Sequence, residues 1–149
     1  MKNIFQDFQV PVSPYLDNLK NYLNVAHNYQ NSNCLGLIAR FYETELKIPF
    51  DEERILFNNF CITSIKDLRR IPIDRVYTLK NWIKIDLTNL QEFDIIVYTR
   101  QQRLAHFSMY VGQYKILDLA ENQRSVLKHL NDTNRNNIEG AIRHRQLAS

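Results

Sequence analysis

The chain has 149 residues, of which 44% are hydrophobic and 23% charged, and a formal net charge of +3. That length suits one globular domain, residues 1–149, with a real core. No apolar run approaches the roughly 18 residues of a membrane span, and the mild basic balance (pI ≈ 8.9) without a dense Lys/Arg block argues against nucleic-acid binding.

Residues 1–12 are expected to form an extended arm ending near Pro11. Met1–Val10 has no secretory apolar core and carries Asp7, so export by the usual signal is not expected. Ser13-Pro14 reads as an N-cap followed by proline at the first helical position. The stripe Tyr15, Leu16, Leu19, Tyr22, Leu23 and Ala26 predicts a helix to about His27, and Asn28–Asn33 a polar loop.

A second helix is expected over Cys34–Lys47, stopped by Pro49. Asn33 or Ser32 can cap it. Cys34, Leu37, Ile38 and Phe41 follow at i, i+3, i+4 and i+7, so its apolar face carries a thiol in the first turn. A helix N-terminus favours a thiolate over a thiol, which makes a cysteine a nucleophile near neutral pH. Buried free cysteine is otherwise a small hydrophobe.

Asp51 is placed to cap a third helix through Phe60, and Ser64 a short fourth that Pro72 ends. A helical turn is expected around Asp74–Lys80 and a connection near Trp82. Lys66, Arg69, Arg70, Arg75, Lys80 and Lys84 make this middle region basic, as a solvated helix face would be.

The pattern then turns strand-like. Phe93–Arg100 is rich in β-branched and aromatic residues. Leu104–Val111 alternates, with Ala105, Phe107, Met109 and Val111 on one face and Leu104, His106, Ser108 and Tyr110 on the other. Gly112-Gln113-Tyr114 is a turn, and Lys115–Leu119, Ser125–Leu130 and Ile138–Arg145 complete an antiparallel sheet, with a polar loop at Asn131–Asn137. Helices followed by strands indicate an α+β domain.

The chemistry-bearing residues are few. Cys34 and Cys61 do not form a disulfide framework, and Cys61, past a helix end, is expected to be an inert buried thiol. His27, His106, His129 and His144 lack zinc-ligand spacing, so no metal is expected. A nucleophilic cysteine needs a base within hydrogen-bond reach, and His106 on the polar strand face is the candidate. If Gly112, Gln113 and Tyr114 form a three-residue loop, with Gly112 or a neighbour at φ > 0, Ser108 pairs with Asp118. Asp118 then becomes the diagonal same-face neighbour of His106, whereas a two-residue loop would put the two on opposite faces.

Three stretches carry a family resemblance. Asn33-Cys34-Leu35-Gly36-Leu37-Ile38 resembles the D-C-x-G-L-V signature of NlpC-family cell-wall cysteine peptidases. Glu92-Phe93-Asp94-Ile95-Ile96-Val97-Tyr98 resembles their p-G-D-I-V-x-F strand, and His106-Phe107-Ser108-Met109-Tyr110-Val111-Gly112 their H-V-G-I-Y-x-G strand. The family's third polar residue falls on Asp118. Asn33 stands where Asp is usual and Phe93 where Gly is near-regular. Tyr42 with Leu46-Lys47-Ile48-Pro49 looks most like the branch found in the tails of phages and phage-like particles.

The resemblance implies a papain-like α+β domain with N-terminal helices packed on an antiparallel sheet. It implies peptidoglycan stem-peptide cleavage by Cys34 as nucleophile, His106 as base and Asp118 as orienting group, with Tyr29 a candidate for orienting substrate or oxyanion. No cofactor is implied. The setting it implies is a virion or phage-like tail tip, in contact with other tail proteins and made in the host cytoplasm. The alternative is a structural tail protein that keeps the fold without turnover.

Overall fold

The computed structural model describes residues 14–30, 32–132 and 137–148. The expected arm at 1–12 and the Ser13 cap lie outside them, as does part of the 131–137 loop. Among the described residues, three α-helices, α1 (Cys34–Phe41), α2 (Asp51–Asn59) and α3 (Ile73–Val76), precede the sheet. The strands are β1 (Trp82–Ile85), β2 (Ile95–Arg100), β3 (Arg103–Gly112), β4 (Lys115–Asp118), β5 (Val126–His129) and β6 (Asn137–His144). All pairings are antiparallel, in the order β1-β6-β2-β3-β4-β5.

The first helix is shorter and tighter than its apolar stripe suggests. Pro14–Tyr22 is a 3-10 helix. Asn24 then turns left-handed (φ 60°), and Ala26 makes a bridge with Arg124. Ser125 holds this turn, because its Oγ accepts from Val25 N (2.8 Å) and donates to the Tyr22 carbonyl (2.6 Å). Backbone partners outside the segment therefore replace the helical ones expected to His27.

α1 forms where predicted. It runs on as a π-helix over Tyr42–Leu46, and left-handed Lys47 (φ 58°) ends it two residues before Pro49. The cap of α2 differs from expectation. Phe50, not Asp51, holds the N-cap position, and Glu43 accepts from its backbone N–H (3.2 Å). Ser64 does cap the 3-10 helix Ile65–Arg70. β1 replaces the connection expected near Trp82. It pairs with the last strand, β6, a partner some sixty residues away that local pattern does not reveal.

The main core lies between the helices and one sheet face and includes Leu37, Ile38, Phe41, Tyr42, Ile95, Val97, Phe107, Met109 and Leu117. Ile96, Tyr98, Tyr110, Ile116, Leu130 and Ala141 form a second cluster. An irregularity between Tyr98 and Thr99 sets Tyr98 opposite His106 but Thr99 opposite Leu104. Ala105 is thus the extra residue of a bulge, and Leu104 joins Phe107 in the main core instead of the polar face predicted for it. The sheet is tied at the β2 entry by a buried bidentate ion pair. Arg143 Nε and Nη2 each donate at 2.8 Å to Asp94, which also accepts from Gln91 N (2.8 Å).

Phe93 stands just before that strand with φ 76°. The position takes a left-handed backbone, which suits the glycine of the p-G-D-I-V-x-F strand that this stretch resembles. Here the cost is offset by packing: Phe93 is 6% exposed, its ring lies 5.6 Å from that of Phe41, and its carbonyl accepts from the Tyr42 hydroxyl. Relief of left-handed strain is worth about 1 kcal/mol, whereas losing a buried phenyl ring costs about 3–5 kcal/mol. Phe93→Gly is therefore expected to destabilise the fold by about 2–4 kcal/mol in urea unfolding. Unchanged or increased stability would mean that strain, not packing, dominates at this position.

Candidate active site

The site is assembled from a capped helix and three adjacent strands. Asn33 has extended backbone (φ −136°, ψ −175°), and its Oδ1 accepts from Gly36 N at 2.9 Å. Its amide nitrogen donates to the Tyr29 carbonyl (3.2 Å), so one side chain fixes both the helix start and the approaching loop. Ser32, the other cap candidate, instead donates to the Ala26 carbonyl at 2.7 Å. Asn33 thus fulfils the capping role open to an aspartate, without its charge. Cys34, 4% exposed, occupies the first helical position.

The hairpin of β3 and β4 brings in the acid by an unexpected route. The turn has two residues, Gln113 and Tyr114, both left-handed (φ 54° and 60°), after Gly112 at φ 96°. By itself such a turn would place His106 and Asp118 on opposite faces. A register shift at Val111 adds one residue to β3, giving Gly112 opposite Lys115 but Tyr110 opposite Ile116 and Met109 opposite Leu117. One step further sets Asp118 opposite Ser108, the pairing predicted from a three-residue loop. The expected neighbours meet: His106 Nε2 lies 2.5 Å from Asp118 Oδ1.

Cys34, His106 and Asp118 form a series. The imidazole is hydrogen-bonded to Asp118 and lies close enough to Cys34 to feel its charge. Since Nε2 faces Asp118, Nδ1 is the nitrogen left for the thiol. Burial alone would lower the His106 pKa, but the charge of Cys34 and the hydrogen bond that the ring donates to Asp118 reverse this and raise it to about 10. Burial likewise pushes the Asp118 carboxyl up, and its bonds to His106 and Lys128 outweigh burial and hold it low. The Tyr98 ring, 5.0 Å from the imidazole, closes one side of the site, its hydroxyl bonded to Ser108 Oγ at 2.7 Å.

Tyr29 lies on the rim. Its hydroxyl donates to Glu121 Oε1 (2.5 Å), Lys66 Nζ sits 4.3 Å from its ring centroid, and His27 packs edge-on at 4.8 Å. The hydroxyl is therefore engaged by a carboxylate from the β4–β5 loop. Sequence reasoning did not single out His27, Glu121 or Lys128. Burial lowers the His27 pKa against the opposing charge of Glu121, and the charge of His106 lowers it further. Cys61 departs from expectation, being exposed at a left-handed position (φ 55°) past the end of α2. Among the described residues, no group of three or more His, Cys, Asp or Glu side chains could hold a metal ion, and no helix is long and apolar enough to cross a membrane.

The two cysteines form an internal comparison. Alkylation of a simple thiol slows about tenfold per pH unit below its pKa near 8.5. Cys34, beside the His106 imidazole, is expected to label faster than Cys61 at about pH 6, and to lose that advantage in His106→Ala. Peptide-resolved labelling with Cys61 as reference would show this. Equal slow labelling of both cysteines, unchanged in His106→Ala, would contradict the pairing.

The raised His106 pKa also sets a stability window. Below about pH 6.5 both folded and unfolded chains hold the proton, and between there and about 10 only the folded chain does. The stabilisation from His106 is thus fully present below about pH 6.5 and is lost as the pH rises through about 10. The difference in unfolding free energy between wild type and His106→Gln should shrink over that range.

No protein-family model matches this chain, and no curated protein matches it. Among solved structures, the chain is similar to a protein of Staphylococcus aureus subsp. aureus Mu50 described as similar to lipoprotein, NLP/P60 family. Identity is 16% and the TM-score 0.56. The likeness covers 89% of this chain and 41% of that one, so the chain spans about two-fifths of its length. The fold is thereby established as the α+β, papain-like arrangement of NLP/P60 proteins.

Proposed function

We propose that the protein is a cysteine endopeptidase that cleaves the stem peptide of peptidoglycan. The carrying observation is the Cys34–His106–Asp118 series, with the imidazole near the thiol of the capped helix and bonded, at 2.5 Å, to a buried carboxylate. The likeness to an NLP/P60 protein, together with the sequence resemblance, supports the cell-wall context by analogy.

The reaction follows from the charges. The Cys34 thiolate attacks the scissile carbonyl carbon, and the carbonyl oxygen becomes an oxyanion. The first N–H groups of α1 have no acceptor within the helix. Asn33 takes that of Gly36, which leaves the Cys34 N–H to stabilise the oxyanion. As the C–N bond breaks, the His106 imidazolium gives its Nδ1 proton to the departing amine. A thioester remains on Cys34. Imidazole then takes a proton from water, whose oxygen attacks the thioester carbonyl, and the acid is released as the thiolate re-forms. Asp118 keeps the ring oriented with Nδ1 toward sulfur throughout. Tyr29, held by Glu121, flanks the substrate entrance.

The finer setting in this proposal is the tail tip of a phage or phage-like particle, where the enzyme opens the wall locally beside other tail proteins. Its support is the sequence resemblance around Tyr42 and Leu46-Lys47-Ile48-Pro49. Co-purification with assembled particles is the expected result, and recovery solely as a free host-cell enzyme would remove this part of the reading.

Turnover is tested by mass spectrometry of purified cell wall after digestion. New stem-peptide termini are expected with wild type and none with Cys34→Ala. Loss of the base in His106→Ala should reduce the rate by about 10²–10⁴-fold, and Asp118→Ala by less, since it orients the base without replacing it. Intact wall after treatment with protein whose Cys34 labels readily at low pH would favour the structural tail component that retains the fold.

A further inference from the structure

The relay does not end at Asp118. Oδ1 of this carboxylate faces His106, while Oδ2 lies 3.0 Å from Lys128 Nζ. Asp118 is 3% exposed and the Lys128 side chain 27%. The lysine comes from β5, whose register sets Ile116 opposite Lys128 and Asp118 opposite Val126. Lys128 is thus the diagonal, same-face neighbour of Asp118. Each oxygen of the buried carboxylate meets one cation, from opposite neighbouring strands.

The geometry points to Lys128 as a positioning residue that fixes the Asp118 carboxylate and thereby sets how firmly His106 holds its proton. A buried carboxylate with a single partner is free to turn, and directs its whole charge at that partner. With Lys128 on Oδ2, rotation about the carboxyl bond is blocked, and part of the negative charge is neutralised before it reaches the imidazolium. The imidazolium must surrender a proton to the leaving amine, so a less tightly held proton favours that step. Other titratable groups facing His106 are Cys34 from α1, His27 from the loop ahead of it and Asp118 from β4; Glu121, beyond the β4 end, acts on His27. Tyr98 from β2 presents its ring. Beside these, Lys128 is the second cation on the orienting acid.

This inference rests on the thiol–imidazole reading above, so its primary test needs no substrate. Imidazole nitrogen shifts of His106, followed by NMR against pH in the full chain, report its titration midpoint directly. Lys128→Met is expected to move the midpoint upward by about half a pH unit or more, because a cation is lost beside the carboxylate. Lys128→Arg, which keeps the charge and can reach Oδ2, should return the midpoint to near the wild-type value. If wall cleavage is observed, Lys128→Met should lower kcat about tenfold with little change in KM, as expected for a group acting through the base. An unchanged midpoint in folded Lys128→Met overturns the inference, as does equal displacement in Lys128→Met and Lys128→Arg. Should Lys128→Met not fold, Lys128→Gln carries the same measurement. Failure of both neutral variants to fold, with Lys128→Arg folded, would assign the lysine to stability alone. Absence of wall cleavage with the midpoint moved as expected would remove the enzymatic reading and leave the Lys128 contact standing.

Discussion

A buried carboxylate must be met by cations or donors, and Asp118 places that demand on the β3–β4–β5 part of the sheet. Its two oxygens require His106 from one neighbouring strand and Lys128 from the other, so both registers have to be right at once. Side chains alternate faces along a strand, and an error of one residue in either pairing would leave a charge without a partner. The extra residue at Val111 and the two left-handed residues of the following turn meet this requirement together. Neither would do so alone.

The same need to pair buried polar groups shapes the helical side. Glu53 is 7% exposed, and one of its oxygens accepts from the Trp82 indole N–H; burial raises its pKa despite that bond. Tyr42 reaches the Phe93 carbonyl from the first residue of the π-helical segment. Helix and sheet are therefore joined by single polar contacts inside an apolar layer. The Tyr42 contact ties down the end of the helix that begins at Cys34, and the Glu53 contact ties down α2.

Much of this was legible in the residues. Asn33, the i, i+3, i+4, i+7 stripe and the strand alternation around His106 are local signals, and the elements they predict form. The pairing of His106 with Asp118 was also anticipated, but through a three-residue loop; the compensation between a shorter turn and a bulge has no sequence signature of its own. What failed depended on distant partners. The Leu23–His27 helix gave way to bonds with Ser125, and β1 acquired its identity from β6. Lys128 could not be placed because the irregular link between β4 and β5 hides their register. Cys61 follows a helix whose C-terminal turn is more exposed than its apolar neighbours Phe57 and Phe60 suggest, so a thiol expected in the core lies in solvent.

Among the described residues, β5 is the terminal strand of the sheet, paired with β4. Val126 and Leu127 on it are 44% and 40% exposed, so little apolar burial holds it in place. Edge elements of this kind open locally far more often than the whole protein unfolds. Each opening would carry Lys128 away from Asp118 while β3, flanked by strands on both sides, kept His106 in position. The fraction of molecules with a complete charge series is thus governed by the fraying equilibrium of four residues at the sheet margin, a much smaller free energy than the one that maintains the fold.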